Sequence, residues 1–304
     1  MAKVTKLKAV EPKAASPSKP KILVFGKPGV GKTWTSLDFP SCYYIDTEGG
    51  ADLEHYTDKL KKSGGMYYGP DQGSQDFDNV IEQIKALATE EHGFRTLIID
   101  SYSKLFNLEI SKEAERLANA GLKNEFAADK KPAVKYTGRL ISWINRLDMN
   151  VILICHEKPL WAKGEQIGVT FDGHEKLEYE LHLCLNILKM GDSRKAMVKK
   201  TRLLQFPDAT TFEWSYDKFS TMYGKEIMEA QAKAVVLATP EQVAEVNKLL
   251  ENIKLTDSTK DKWIAENLAT MNEIESDKVD GVILHLKAKL APIDAPKPPK
   301  EKVA

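Results

Sequence analysis

The chain has 304 residues, of which 42% are hydrophobic and 29% charged, enough for one α/β domain of ordinary size and a smaller module. Its 44 Lys and Arg balance 44 Asp and Glu, so no global field draws it to nucleic acid, and any basic binding face must be local. Three cysteines, Cys42, Cys155 and Cys184, stand far apart without CxxC spacing, which argues against a disulfide framework or a zinc site and fits a reducing cytoplasm.

Residues 1–19 carry Lys3, Lys6, Lys8, Lys13 and Lys19 against the single acid Glu11, with Pro and Ala filling much of the rest. Such a segment cannot bury a core and is expected to be a disordered basic tail. The opening MAKVTKLKAV lacks the apolar stretch of a secretory signal. No apolar run approaches the roughly 20 residues of a membrane helix. The expectation is a soluble, cytoplasmic protein with no membrane partner.

From residue 20 the pattern is that of an α/β domain. Lys21–Phe25 (KILVF) reads as a short buried strand, followed by a glycine loop and a helix from Lys32. Gly26-Lys27-Pro28-Gly29-Val30-Gly31-Lys32-Thr33 matches GxxxxGK[ST]. A chain of this length meets that pattern by chance about once in 100 at average composition. The strand before it and the helix after it supply the context that phosphate binding requires. Glycines let backbone N–H groups turn inward onto phosphate oxygens, and the helix N-terminus adds positive potential. Lys32 is then the β/γ-phosphate contact, and Thr33 the hydroxyl ligand of Mg²⁺.

Cys42–Ile45 (CYYI) is a second strand, and Asp46 and Glu48 follow it. Two residues apart, they share a side if the segment stays extended. Glu48 is the expected base for an attacking water. Phe77, Val80, Ile81, Ile84 and Leu87 mark one helical face. Thr96–Ile99 is a buried strand ending on Asp100, the Walker B pattern, which makes Asp100 the second Mg²⁺ ligand. Leu140, Ile141, Ile144 and Leu147 mark another helix, and Val151–Cys155 (VILIC) another strand. His156 follows that strand where it can sense the γ-phosphate, and Glu157 is the competing responder. Strands alternating with helices predict a mostly parallel sheet covered on both faces.

Beyond residue 177 the pattern changes. Leu181–Met190, Ala196–Arg202 and Thr211–Trp214 read as strands joined by short turns, one at Gly191-Asp192, and predict an antiparallel extension of the sheet. Thr239-Pro240-Glu241-Gln242 is a capping box with Pro at the first helical position. Val243, Val246, Leu250 and Ile253 continue that helix. Trp263, Ile264 and Leu268 suggest a second, and Val279, Val282, Ile283, Leu286 and Leu290 a third. The expected organisation is a tail over 1–19, an ATPase core over 20–233, a small helical module over 234–291 and a Pro/Lys-rich tail over 292–304.

Taken in order, the P-loop, IDTEGG at 45–50, LIIDS at 97–101 and LICHE at 153–157 resemble the RecA-like P-loop ATPases over about residues 20–215. The sequence looks most similar to phage-encoded members of that group that act in single-strand annealing or recombination. The resemblance implies an α/β RecA-like core that hydrolyses ATP with Mg²⁺, with Glu48 as catalytic glutamate and His156 as sensor. It implies a homo-oligomer, ring or filament, in which Lys200 and Arg202 reach a neighbour's ATP as an arginine finger does. It also implies single-stranded DNA as a partner, beside a single-stranded-DNA-binding protein. Trp161 and Lys163, in 158–176, and Lys123, Lys130, Lys131 and Lys135, in 109–135, are the DNA candidates, since an aromatic among cations on a loop suits base stacking.

Other P-loop functions fit less well. A nucleotide or small-molecule kinase needs an acceptor site and usually an Arg-rich lid, and neither is discernible. A GTPase needs NKxD after an apolar strand, whereas Asn145-Arg146-Leu147-Asp148 has Arg in place of Lys and precedes its strand. An assembly scaffold using ATP only as glue has no use for Glu48. A helicase-like motor is not separable from an annealing protein by sequence.

Overall fold

The computed structural model describes residues 18–50, 53–252 and 268–290. It divides into two compact units, Met1–Lys233 and Ala234–Ala304. The first is a mixed α/β unit built on a mostly parallel sheet, as the alternation of strands and helices predicts.

Six strands form the parallel part: β1 (Lys21–Gly26), β2 (Cys42–Asp46), β3 (Met66–Tyr68), β4 (Thr96–Asp100), β5 (Asn150–Ala162) and β7 (Leu183–Met190). They lie in the order β3-β2-β4-β5-β1-β7; β7, read from sequence as part of the antiparallel extension, instead pairs parallel with β1, and only β8 (Ser193–Thr201) and β9 (Thr211–Glu213) continue the sheet antiparallel. The β7–β8 turn falls at Gly191-Asp192 as predicted, with Gly191 at φ 61°.

Burial on both faces explains the near-continuous apolar strands. Ile22 and Val24 of β1 join Tyr44, Ile98, Ile152, Leu185, Phe206 and Phe219 in one core. Leu23 and Phe25 face the other way and are equally buried. α3 (Phe77–Thr89) and α4 (Tyr102–Asn119) each pack on α5 (Lys130–Arg146), with α4 also against β5. The helical face read from Phe77, Val80, Ile81, Ile84 and Leu87 is the buried face of α3.

Three readings need correction. Lys19, assigned to the tail, is buried, and its ammonium donates to the Ala230 carbonyl at 2.5 Å, so the fold includes the last tail residue. The remainder of that tail before Ser18, and the tail over 292–304, fall outside the described residues. The DNA-candidate stretch 158–176 is largely a β-hairpin rather than a loop: β5 runs on past the sheet and pairs antiparallel with β6 (Glu165–Phe171), turning at Lys163 and Gly164 with φ 50° and 86°. Lys130, Lys131 and Lys135 are likewise helical, in α5, and residues 109–119 belong to α4.

In the second unit, α9 (Pro240–Asn252) and α10 (Ser276–Leu290) pack through Val246, Leu250, Val279, Ile283 and Leu286. The capping box is formed on both sides: the Gln242 N–H donates to Thr239 Oγ1 (3.2 Å) and the Thr239 N–H to Gln242 Oε1 (2.9 Å). A bridge between Leu237 and Glu275 adds extended structure to a segment read as helices only. The helix expected over Trp263 and Ile264 lies outside the described residues; Leu268 opens a 3-10 turn, Leu268–Glu273.

Candidate functional site

The register of the parallel strands brings the motifs together. Gly26 pairs with His156, Asp46 with Asp100, and Asp100 with Ile154. All four functional segments therefore leave the sheet at its carboxyl end, where open α/β sheets bind ligands. β5 stands between β1 and β4, which sets His156 beside the start of the glycine loop.

The loop depends on its glycines. Gly26 has φ 155°, and a Cβ there would meet the Ile187 carbonyl oxygen at 2.5 Å. Gly31 has φ 88°, and a Cβ there would lie 2.0 Å from Arg194 Nε. At Gly26 the backbone carbonyl excludes a side chain on steric grounds as well as by dihedral; at Gly31 the positive φ disfavours one, and the arginine would have to shift. The helix that follows, α1 (Lys32–Ser36), is only five residues long. Beyond it Leu37 and Phe39 are both buried.

Lys32 folds back over the loop, donating to the carbonyls of Gly26 (2.8 Å) and Lys27 (3.0 Å). Burial lowers its pKa, while the carboxylates of Asp100, Glu48 and Glu157 pull the other way. Thr33 Oγ1 donates to Asp100 Oδ2 at 2.5 Å, and the Tyr44 hydroxyl donates to the same oxygen at 3.1 Å. Burial pushes the Asp100 pKa up to about 6, with the Thr33 and Tyr44 hydrogen bonds opposing it and Glu48 and Asp46 adding to it.

Asp46 and Glu48 do not share a side. The strand ends at Asp46, which is buried; its Oδ1 accepts the N–H groups of Glu48 (2.9 Å) and Gly49 (3.0 Å), and its Oδ2 the Tyr67 hydroxyl (3.1 Å). Asp46 thus builds the turn that aims Glu48 outward. Glu48 Oε1 accepts from Ser101 Oγ and from His156 Nε2, each at 2.5 Å. Ser101 was absent from the sequence reading; its position directly after Asp100 was the available signal. His156 is fixed by its own backbone N–H, which donates to Ser103 Oγ (2.9 Å). Glu157 faces the same cleft and accepts from the Asn186 amide at 3.3 Å.

Gly26, Pro28, Gly29, Lys32, Thr33, Glu48, Asp100, His156 and Glu157 line one cleft of about 480 Å³. On the other side of the loop Gly29, Gly31, Lys32 and Thr33 join Trp34, Tyr56 and Arg194 around a second space of about 310 Å³. None of the last three was identified from sequence, since isolated aromatics and a strand arginine carry no local pattern.

The remaining candidates lie elsewhere. Lys200 pairs with Cys184, and the Arg202 N–H donates to the His182 carbonyl, level with Lys21 at the amino end of β1. Five residues separate that level from Gly26, roughly 17 Å at strand rise. Their side chains donate to backbone carbonyls, Lys200 to Leu181 and Arg202 to Tyr179. Within one chain they cannot reach the phosphate loop. Trp161 is 62% exposed on the β5–β6 hairpin, with Lys163 at its turn.

A glycine loop, an invariant-type Lys and Thr and a strand-end carboxylate converging at the carboxyl edge of a parallel sheet define a P-loop nucleotide-binding protein. Residues 18–206 match the family model described as the AAA domain, and the chain belongs to that family. No curated protein matches the sequence. The crystal structure of the RadB recombinase aligns with 64% of this chain and 87% of that chain, at 15% identity and a TM-score of 0.42. Among the described residues no helix is long and apolar enough to cross a membrane.

Proposed function

We propose that this protein is a Mg²⁺-dependent ATPase of RecA-like type that acts on single-stranded DNA in recombination, annealing or replication. The observation that carries the reading is the convergence of Lys32, Thr33, Asp100 and Glu48 on one cleft.

Mg²⁺ suits the donors. Thr33 and Asp100 offer two hard oxygens in contact with each other, and the buried Asp100 carboxylate gains from a cation. Among the described residues no cluster of three or more His, Cys, Asp and Glu is placed to hold a metal alone. Such a site fits a cation that shares its shell with phosphate oxygens and water. Thr33 and Asp100 would hold Mg²⁺, which would supply charge neutralisation for the phosphates.

The chain's own residues then have distinct tasks. Lys32, now on the carbonyls of Gly26 and Lys27, moves onto the phosphate chain. Glu48 takes the proton of the attacking water on Oε2, while Ser101 and His156 hold Oε1 and fix its direction. His156 lies beside Gly26 and is suited to respond to the terminal phosphate.

The DNA part of the reading is supported by the β5–β6 hairpin. It carries exposed Leu160, Trp161 and Ile167 on a strand pair that begins at Glu157, the residue after His156. Exposed aromatic surface with nearby cations suits base stacking.

ATP turnover measured with and without single-stranded DNA, alongside oligomer size, tests the whole reading. Lys32→Ala should abolish turnover while circular dichroism and melting temperature stay near wild type. Normal turnover in that variant would remove the site assignment.

A further inference from the structure

Arg194 sits at the start of β8, at the same end of the sheet as the phosphate loop, because β8 runs antiparallel to β7 and Arg194 pairs with Lys189 near that strand's carboxyl end. Its guanidinium packs on Gly31, so closely that the smallest side chain at 31 would collide with Nε, Cδ and Cζ. Arg194 Nε is buried and has no hydrogen-bond partner. Among the described residues no carboxylate pairs with the guanidinium. An arginine held against a phosphate-binding loop with a buried donor unsatisfied is costly unless an acceptor arrives.

The location says which part of a nucleotide supplies that acceptor. Glu48, Asp100, His156 and Glu157 surround the other cleft, where terminal phosphate chemistry belongs. Arg194 opens instead onto the space shared with Trp34 and Tyr56, whose rings lie 5.8 Å apart. Aromatic surface and a guanidinium suit the nucleoside end and its adjoining phosphate, and a guanidinium presents several donors to phosphate oxygens.

We infer that Arg194 is a nucleotide-binding residue that acts within its own subunit, donating to the α-phosphate and ribose end of the bound nucleotide. The inference rests on the ATPase reading above for the identity of the ligand. It assigns a role different from that of Lys200 and Arg202, which lie at the opposite end of the same strand.

The test compares ATP, ADP and inorganic tripolyphosphate by calorimetry on the full chain, for wild type, Arg194→Gln and Arg194→Lys, each checked by melting temperature. Loss of a charge-assisted contact predicts ATP and ADP binding weaker by about 10-fold or more in Arg194→Gln, with both affected alike. Arg194→Lys should fall between, since it keeps charge without the planar fork. Tripolyphosphate binding should weaken less than nucleotide binding, because that ligand offers a phosphate at the α position but no ribose or base. Nucleotide affinities equal to wild type in Arg194→Gln would overturn the inference while leaving the ATPase reading intact. An equal loss for tripolyphosphate would also overturn it, since the arginine would then serve loop shape or the phosphate chain as a whole. Wild-type protein that binds neither nucleotide would remove both readings together.

Discussion

Asp46 and Glu48 are chemically alike, two residues apart, and used differently. Asp46 spends its oxygens on the turn, holding the N–H groups of Glu48 and Gly49 and the Tyr67 hydroxyl. Glu48 faces the cleft and is held at one oxygen only by Ser101 and His156. Substituting each therefore gives a different signature. Glu48→Gln keeps size and hydrogen bonding but loses the proton acceptor, so nucleotide binding should persist while turnover falls about 10²-fold or more. Asp46→Ala should lower stability by about 1–3 kcal/mol, because buried N–H donors lose their acceptor, and turnover should fall through disorder of the turn. Denaturant melts and single-turnover kinetics on both variants separate the cases; a fully active Glu48→Gln would show that the base is elsewhere. A third charged residue, Lys21, is buried with its ammonium on the carbonyls of Leu147 (2.5 Å) and Met149 (2.7 Å), and burial drops its pKa to about 7. A neutral amine has two N–H groups, which match those two carbonyls. The sign follows from proton counting. Between about pH 7 and the ordinary lysine value of 10.5 the unfolded chain holds a proton that the folded chain has released, so stability rises with pH across that window. Below pH 7 both states are protonated and this contribution is flat. The slope has an upper bound of about 1.4 kcal/mol per pH unit. Urea melts between pH 7 and 10 should show the rise in wild type and lose it in Lys21→Met; an unchanged slope would place the titration elsewhere.

Local elements with a strong period or a fixed motif were legible in the sequence. β1, β4, the α3 face, the β7–β8 turn and the capping box of α9 all follow from apolar runs, spacing or turn chemistry. Pairing across the sheet was not legible, because no local signal states that β5 enters between β1 and β4. That insertion is what sets His156 beside Gly26 and within reach of Glu48. The β5–β6 hairpin was hidden for a related reason. Its residues, exposed on both faces over much of their length, show none of the alternation that burial imposes, so composition suggested a loop. Being a hairpin changes what it can do. A pair of strands continuous with β5 holds Trp161 on a firm support connected to His156, whereas a loop would leave it free. Trp161→Ala should therefore weaken single-stranded DNA binding by about 10-fold, on the scale of one lost base–aromatic stack, with ATP affinity unchanged. Fluorescence anisotropy with a labelled oligonucleotide reads the first and calorimetry the second. Unaltered DNA binding would move the interface off the hairpin.

At the scale of the whole molecule, the candidate residues lie at two ends of the sheet. The carboxyl end of β1 holds the phosphate loop with Glu48, Asp100, His156 and Arg194 around it. Arg202 is level with Lys21 at the other end, roughly 17 Å away along the strands, and Lys200 is one strand position nearer than Thr201. Burial and the charge of Arg202 beside it lower the Lys200 pKa, so keeping two cations together there has a cost. No displacement of a side chain spans that distance within one chain, which leaves two uses for the pair. Either they bind an anion on their own surface, or they complete the phosphate site of a second copy. The second use predicts complementation. Arg202→Ala subunits keep Glu48, and Glu48→Gln subunits keep Arg202, so mixed assemblies contain interfaces at which both residues meet one nucleotide. Each variant alone should be inactive, and an equimolar mixture should recover a measurable part of wild-type turnover, on the order of one interface in four if subunits mix at random and each interface turns over independently. Size-exclusion chromatography with light scattering must show that both variants assemble as wild type does. Assembly without recovery would favour a surface role for Lys200 and Arg202, and an Arg202→Ala variant active by itself would remove them from the chemistry altogether.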